Sequence, residues 1–324
     1  KDLLEQTVKE RTSQLKDANE ELNQQNEKIC AQRDNLELFI DELKQKNEEI
    51  LSQRDEIQNQ NKVIEQKNKN ITDSITYAES IQQSILPEIS KIQSVFPESF
   101  VIFMPKDIVS GDFYWFYDTA DVTCFSVIDC TGHGVPGALL SVMAYAFLRK
   151  AVHEAVGLHP SDILSILSTE INTTLRKTDK NINIRDGMDI AFCTFHKKTR
   201  LLEYAGVRNP VLVLRNQELI KLKADKHPIG DPFTPTFSGY SNSVLQLVKG
   251  DILYLFTDGI VDQFGGPKGQ KFSSKQFEEL ILTQWNKNLM SQKNIFEEQL
   301  NQWEKGYSKV FEQTDDITLI GIKV

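Results

Sequence analysis

The sequence predicts an α+β protein, with two antiparallel β-sheets sandwiched between helical pairs and preceded by a long parallel dimeric coiled coil. Three observations carry this reading. All 16 glycines and all 10 prolines lie after Leu86, and a stretch without turn punctuation points to one continuous helix. Within that stretch apolar residues recur every seven positions. Beyond it, short runs rich in β-branched and aromatic residues follow one another across short turns, which argues for antiparallel pairing. The helical patterns there come in pairs, not one after each strand, so a doubly wound parallel sheet fits poorly. The expected domains are residues 1–86, a coiled coil for signalling and dimerisation, and 87–324, a globular domain.

Val8, Leu15, Leu22, Ile29, Leu36, Leu43, Ile50, Ile57, Ile64 and Ile71 form the unbroken heptad series. Such a seam keeps facing a partner only if the helix supercoils left-handedly. With these residues at d, the a positions are Thr12, Asn19, Asn26, Arg33, Ile40, Asn47, Arg54, Asn61, Asn68 and Ile75. Five Asn and two Arg in that series imply a specific but weak homodimer, because polar a residues fix register at a cost in stability. The Gln-Arg-Asp triplet at 32–34 returns at 53–55, as a duplicated motif would. Pro87 ends the helix, giving a rod on the order of 125 Å long. A coil so poor in stabilising residues is suited to passing a twist into the next domain. The alternative is a spacer that only dimerises. Cys30 falls at e and is read as a solvated thiol.

In the globular part, strands are expected at Phe100–Met104, Phe113–Tyr117, Val122–Ile128, Met188–Phe195, Leu201–Tyr204, Val211–Leu214, Val244–Leu247, Ile252–Phe256 and Ile317–Val324. Helices are expected near 137–156, 161–178, 274–286 and 292–304, with Ser161 and Ser273 or Ser274 as N-caps.

Net charge is −9, divided as −6 over residues 1–86 and −3 over the rest. Neither part is basic, which excludes a phosphate-tracking nucleic-acid surface. No long apolar run or signal peptide is evident, so no membrane segment is expected and a cytoplasmic location is. The chain begins at Lys1 rather than Met. An upstream sensor domain outside this sequence is therefore expected, and it could attach the full-length protein to a membrane. The four cysteines show no CxxC pairing, which argues against a structural zinc site or a disulfide framework.

Acidic residues stand where chemistry would be placed. Asp112 opens a strand in SGDFYWF, and Asp129 ends the strand before the turn CTGHGVPGA. Asp258 follows the strand DILYLF, and Asp315 and Asp316 precede the last strand. A lone Asp beside Gly at a strand end is a turn former. Several together at strand ends can converge at one sheet edge, where they repel and their pKa values rise. A hard divalent cation, Mn²⁺ or Mg²⁺, relieves that repulsion.

SGDFYWF, VIDCTGHGVPGA, LFTDGIVD and DDITLIGIKV, in that order, resemble the metal-dependent protein phosphatase (PPM) family, in particular its bacterial SpoIIE-like branch. The resemblance covers roughly residues 97–324. It implies a two-metal centre that hydrolyses phosphoserine or phosphothreonine. The implied ligands are Asp112, Asp129, the backbone carbonyl of Cys130, Asp258 and Asp315, with Asp316 ranked below Asp315. The implied substrate is a phosphorylated regulatory protein of the anti-sigma-factor-antagonist kind, and the implied regulation runs through helices next to the site.

The chemistry is coherent on its own terms, since two metals about 3.5–4 Å apart can polarise a phosphoryl group and activate a water without a covalent intermediate. The thiol of Cys130 is read as a small spacer rather than a nucleophile. His133 is either a general acid or a group that orients the glycine turn. Asp189, a charge inside an apolar strand, either reaches a third, weaker metal or pairs with Arg185 or another base. The phosphate-binding arginine of eukaryotic relatives has no match before SGDF; Lys106 is the nearest basic residue, and Arg208 is read as a turn residue, with substrate contact as the lesser alternative. Two other functions fit less well. A nucleotidyl cyclase would need a base pocket and a phosphate arginine, and an inactive coiled-coil scaffold would not need every carboxylate in place.

Overall fold

The structure, a computed structural model, describes residues 2–175, 187–230, 237–305 and 310–324. It divides into two compact units, Lys1–Thr72 and Asp73–Val324. The first unit lies within α1 (Asp2–Ile85), a helix without interruption. Every residue of the d series from Val8 to Ile71 is exposed in this single chain.

The second unit starts with the end of α1 and continues through α2 (Ile89–Val95), β1 (Ser99–Met104), β2 (Asp112–Asp118), β3 (Val122–Cys130), α3 (Gly134–Glu154) and α4 (Pro160–Leu175). Strands β4 (Met188–His196), β5 (Leu201–Val207), β6 (Val211–Arg215), β7 (Glu218–Leu222), β8 (Ser243–Gln246) and β9 (Ile252–Phe256) follow. The chain closes with α5 (Gly259–Asp262), the small hairpin β10 (Phe264–Gly265) and β11 (Gln270–Lys271), α6 (Ser274–Thr283), α7 (Leu289–Lys305) and β12 (Ile317–Lys323).

Among the described residues two five-stranded sheets form, β1-β12-β9-β6-β7 and β2-β3-β4-β5-β8, and every strand pairing in them is antiparallel. Their facing sides share one core, in which Phe125, Val127, Leu202, Leu253, Leu255 and Ile320 are buried. The outer face of the β2–β8 sheet packs on α3 and α4 through Ile128, Leu148, Leu164, Leu167 and Phe192. The outer face of the other sheet packs on α6 and α7 through Tyr254, Phe277, Phe296 and Leu319. Central strands are therefore covered on both faces. Along β3 alternate residues feed different cores, Phe125 and Val127 to the inter-sheet core, Cys124 and Ile128 to the helix side.

Helix boundaries differ from the sequence reading for physical reasons. α3 begins at Gly134, three residues earlier than expected, because Pro136 falls in the first turn, where its missing N–H costs nothing. α4 begins at Pro160, so Ser161 lies inside the helix rather than at its cap; proline's fixed φ suits a first helical position. Its expected end at 178 lies outside the described residues. Ser273 does cap α6, accepting a hydrogen bond from Gln276 N. Among the described residues α3 is long and apolar enough to cross a membrane. Its residues Leu140, Ala144, Leu148 and Ala151 are nevertheless buried in the domain core.

Candidate functional site

Three neighbouring strands set three carboxylates in a row. The β2–β3 register places Asp112 opposite Asp129, and the β3–β4 register places Asp129 opposite Asp189. Directly opposed residues share a face with Cβ atoms roughly 4.5–5.5 Å apart, and like charges there are destabilising. The other sheet adds Asp258, which follows β9 and immediately precedes α5, and Asp315, just ahead of β12. Asp129, Asp189, Asp258 and Asp315 line one open cavity of about 390 Å³, together with Thr131 and Arg208.

Burial, and then the surrounding negative charge, sets the electrostatics. Asp129 is pushed well above the usual carboxylate range by burial and by Asp112, Asp258, Asp189 and Asp315. Asp112 is raised by burial, against the hydrogen bond from Thr257. Asp258 is raised by burial and by Asp262 and Asp315, and it lies within hydrogen-bonding reach of Asp129. Asp189 is pushed up to about 6 by burial, with Arg208 opposing the rise. Its base is Arg208, whose Nη1 lies 3.6 Å from Asp189 Oδ2; Arg185 lies outside the described residues.

The two remaining acids are held differently. Asp112 Oδ2 accepts hydrogen bonds from the hydroxyls of Thr257 (2.7 Å) and Thr318 (2.9 Å), one from each neighbouring strand end of the other sheet. Asp316 spends both oxygens on the backbone, accepting from Lys106 N and Gly111 N at 2.7 Å each. It therefore acts as a strut for the loop before β2, whereas Asp315 faces the cavity. The turn after β3 closes tightly on this loop. A Cβ on Gly111 or on Gly137 would collide with the Gly132 carbonyl, so both positions need glycine. Cys130 is 1% exposed, and burial pushes its thiol well up, which leaves no thiolate to act as a nucleophile.

His133 stands at the start of α3, outside the residues that line the cavity. Its Nδ1 lies 2.7 Å from Asp107 Oδ2 and its Nε2 lies 3.1 Å from Lys106 Nζ. An ammonium can only donate, so Nε2 accepts and Nδ1 carries the proton given to Asp107. Both ring nitrogens are thus engaged in holding the loop and the turn together.

One contact has no signal in the sequence. Gln82, near the end of α1, is 3% exposed. Its side chain donates to Ser110 O (2.6 Å) and Ser141 Oγ (2.8 Å) and accepts from Ser110 N (3.0 Å). It joins the helix end to the residue two before Asp112 and to α3. Among many glutamines in a polar helix, nothing in the sequence distinguishes this one.

The acidic wall offers hard oxygen donors from its aspartates, and among the described residues no thiol or imidazole lines the cavity. That donor set fits Mg²⁺ or Mn²⁺ rather than a soft metal. Among the described residues no group of three ligating side chains is gathered closely enough to hold an ion as it stands, so the fit rests on donor chemistry and on the repulsion a cation would relieve.

Residues 119–324 match the family described as stage II sporulation protein E (SpoIIE). The chain is similar to the SiaA-PP2C domain of Pseudomonas aeruginosa, at 30% identity and a TM-score of 0.71, covering 79% of this chain and 98% of that one. It is also similar to the PP2C phosphatase domain, with a fragment of the regulatory domain, of SpoIIE from Bacillus subtilis. There identity is 20% and the TM-score 0.55, over 70% of this chain and 63% of that one. The RsbU and RsbW domains of a Mycobacterium tuberculosis protein align at 16% identity and a TM-score of 0.54, over 70% and 60% of the two chains. These last two likenesses show a shared fold. No curated protein matches the chain.

Proposed function

This chain belongs to the stage II sporulation protein E family and carries a PP2C-type phosphatase domain, and we propose that it is a metal-dependent serine/threonine protein phosphatase. The observation that carries the reading is the row Asp112–Asp129–Asp189, whose Asp129 and Asp189 meet Asp258 and Asp315 around one cavity. Asp112, Asp129, Asp258, Asp315 and the carbonyl of Cys130 would hold two Mn²⁺ or Mg²⁺ ions, with Asp189 available to a weaker third. When bound, such ions supply the positive charge that polarises a phosphoryl group and activates a water for in-line attack.

The chain's own residues keep that site in place. Thr257 and Thr318 fix Asp112 from the other sheet, so its carboxylate is held at the end of the acidic row. Asp316 ties the backbone of Lys106 and Gly111 and so sets the loop that delivers Asp112. His133, with Asp107 and Lys106, secures the glycine turn after Asp129. We give it that positioning role rather than the part of general acid.

The exposed d series supports a parallel homodimer through residues 1–86, and regulation of the phosphatase through that coil. The substrate is a phosphorylated regulatory protein of the anti-sigma-factor-antagonist kind, acted on in the cytoplasm. Para-nitrophenyl phosphate turnover tests the activity. It should require Mn²⁺ or Mg²⁺ and vanish in chelator, and equal rates in both would remove the reading. For the coil, Leu36→Asp with Leu43→Asp places charges in the d seam, which is strongly unfavourable. Light scattering should then report a monomer, and a persisting dimer would place the interface elsewhere.

A further inference from the structure

A doubly charged phosphate monoester entering a cavity walled by four carboxylates gains from a cationic side chain on the wall, beside the charge of any bound ions. Among the described residues Arg208 is the basic side chain that lines this cavity. Lys106 is committed to His133 and is not part of the lining. Arg208 holds its place in an unusual backbone conformation, with φ at +54°. Glycine or asparagine adopts that conformation at lower cost.

The surrounding backbone enforces it. Arg208 N donates to Asp225 O (2.9 Å), and Asp225 N donates back to Gly206 O (2.8 Å). The hydroxyl of Tyr204 fixes the next residue, donating to Asn209 O at 2.7 Å. A turn so tightly held fixes where the side chain starts. The guanidinium itself is lightly held: 60% of the side chain is exposed, and its partner Asp189 is 3.6 Å away. One carboxylate at that distance leaves most of its five N–H donors available, and a guanidinium matches two phosphate oxygens at once.

We propose that Arg208 grips the phosphoryl group of the phosphoserine or phosphothreonine substrate, with Asp189 aiming the guanidinium. The inference rests on the phosphatase reading of this cavity and adds the residue that recognises the anion. The turn holds Arg208 at positive φ, and its side chain lines the cavity where a phosphate would sit.

Arg208→Asn separates the two roles, because asparagine suits the left-handed turn. In the full chain with Mn²⁺, its melting temperature should equal or exceed that of the wild type. Inorganic phosphate binding, measured by calorimetry, should weaken by ~10–100-fold, and KM for a phosphoserine peptide should rise similarly with kcat within about threefold. Arg208→Lys should recover part of the loss. Unchanged phosphate affinity and KM, or a fall in kcat at constant KM, would overturn the assignment and leave Arg208 a support for Asp189. Arg208-dependent phosphate binding without any turnover would uphold the grip and refute the hydrolase. Absence of phosphate binding by the wild type would refute the grip, and absence of peptide turnover as well would refute the hydrolase.

Discussion

At one end of the β2–β3–β4–β5–β8 sheet, Asp112, Asp129 and Asp189 face one another across neighbouring strands. Towards the other end, Glu203 on β5 accepts hydrogen bonds from His159 Nδ1 (2.8 Å), His196 Nε2 (2.8 Å) and Asn242 Nδ2 (2.7 Å). Burial acts on both groups in the same direction and their partners act in opposite ones. Around Asp129 the neighbours are anions, and its pKa rises further. At Glu203 burial raises the pKa, yet the bonds from His159, Asn242 and His196 outweigh it and the net shift is downward. A buried carboxylate with its own partners is architecture. A row of carboxylates facing one another stores repulsion that a bound cation can release, and that difference marks the functional end of the sheet.

The sharpest way to break the comparison is to neutralise one acid at each end. Asp129→Asn and Asp258→Asn should each lower kcat by at least ~100-fold, about 2.7 kcal/mol of transition-state stabilisation. In chelator their melting temperatures should not fall, because removing one anion relieves repulsion. Near-wild-type turnover in either variant would end the two-metal assignment. Glu203→Gln should do the reverse. Replacing the charged acceptor of the two imidazoles should cost about 1–2 kcal/mol of stability, or roughly 2–8 °C in melting temperature, with kcat within about twofold. A large loss of activity at unchanged stability would mean that the two ends are not separate.

Proton linkage sharpens the contrast further. The acids of the row have folded-state pKa values above their unfolded ones, with Asp189 at about 6. For Asp189 the metal-free folded state therefore binds more protons between about pH 4 and 6, and its contribution to stability falls as pH rises through that window; Asp112 and Asp129 shift in the same sense. Glu203 has the opposite sign: its contribution is present above the unfolded pKa and is lost as pH falls through the folded value. Protons compete with metal for the row. The gain in melting temperature on adding Mn²⁺ should thus grow from pH 5 to pH 7, by a few degrees. A gain independent of pH would show that the ion does not displace protons from these carboxylates.

The same contrast separates what is legible in the amino-acid sequence from what is not. Asp112, Asp129, Asp258 and Asp315 sit in glycine-bearing motifs or at strand ends, so their clustering can be read from residue types and order. The adjacency of Asp189 to Asp129 cannot, because it depends on the β3–β4 register across a long insertion. Nine strands are legible from β-branched and aromatic runs. β7 is not among them, because ELIKL is short and half-exposed at a sheet edge. The turn before it, Asn216-Gln217, takes positive φ at both positions, and only the asparagine hints at such a hairpin. Arg208 reads as a turn residue, which it is. That the turn also lines the cavity follows from tertiary packing alone, as does the burial of Gln82.

The central claim is that the acidic row is a metal centre. Isothermal titration of Mn²⁺ into the full chain near neutral pH tests it most directly, with Asp129→Asn titrated alongside. Two ions per chain for the wild type, and loss of at least one of them in the variant, is the expected result. No Mn²⁺ uptake by the wild type, or identical uptake by the variant, would contradict it.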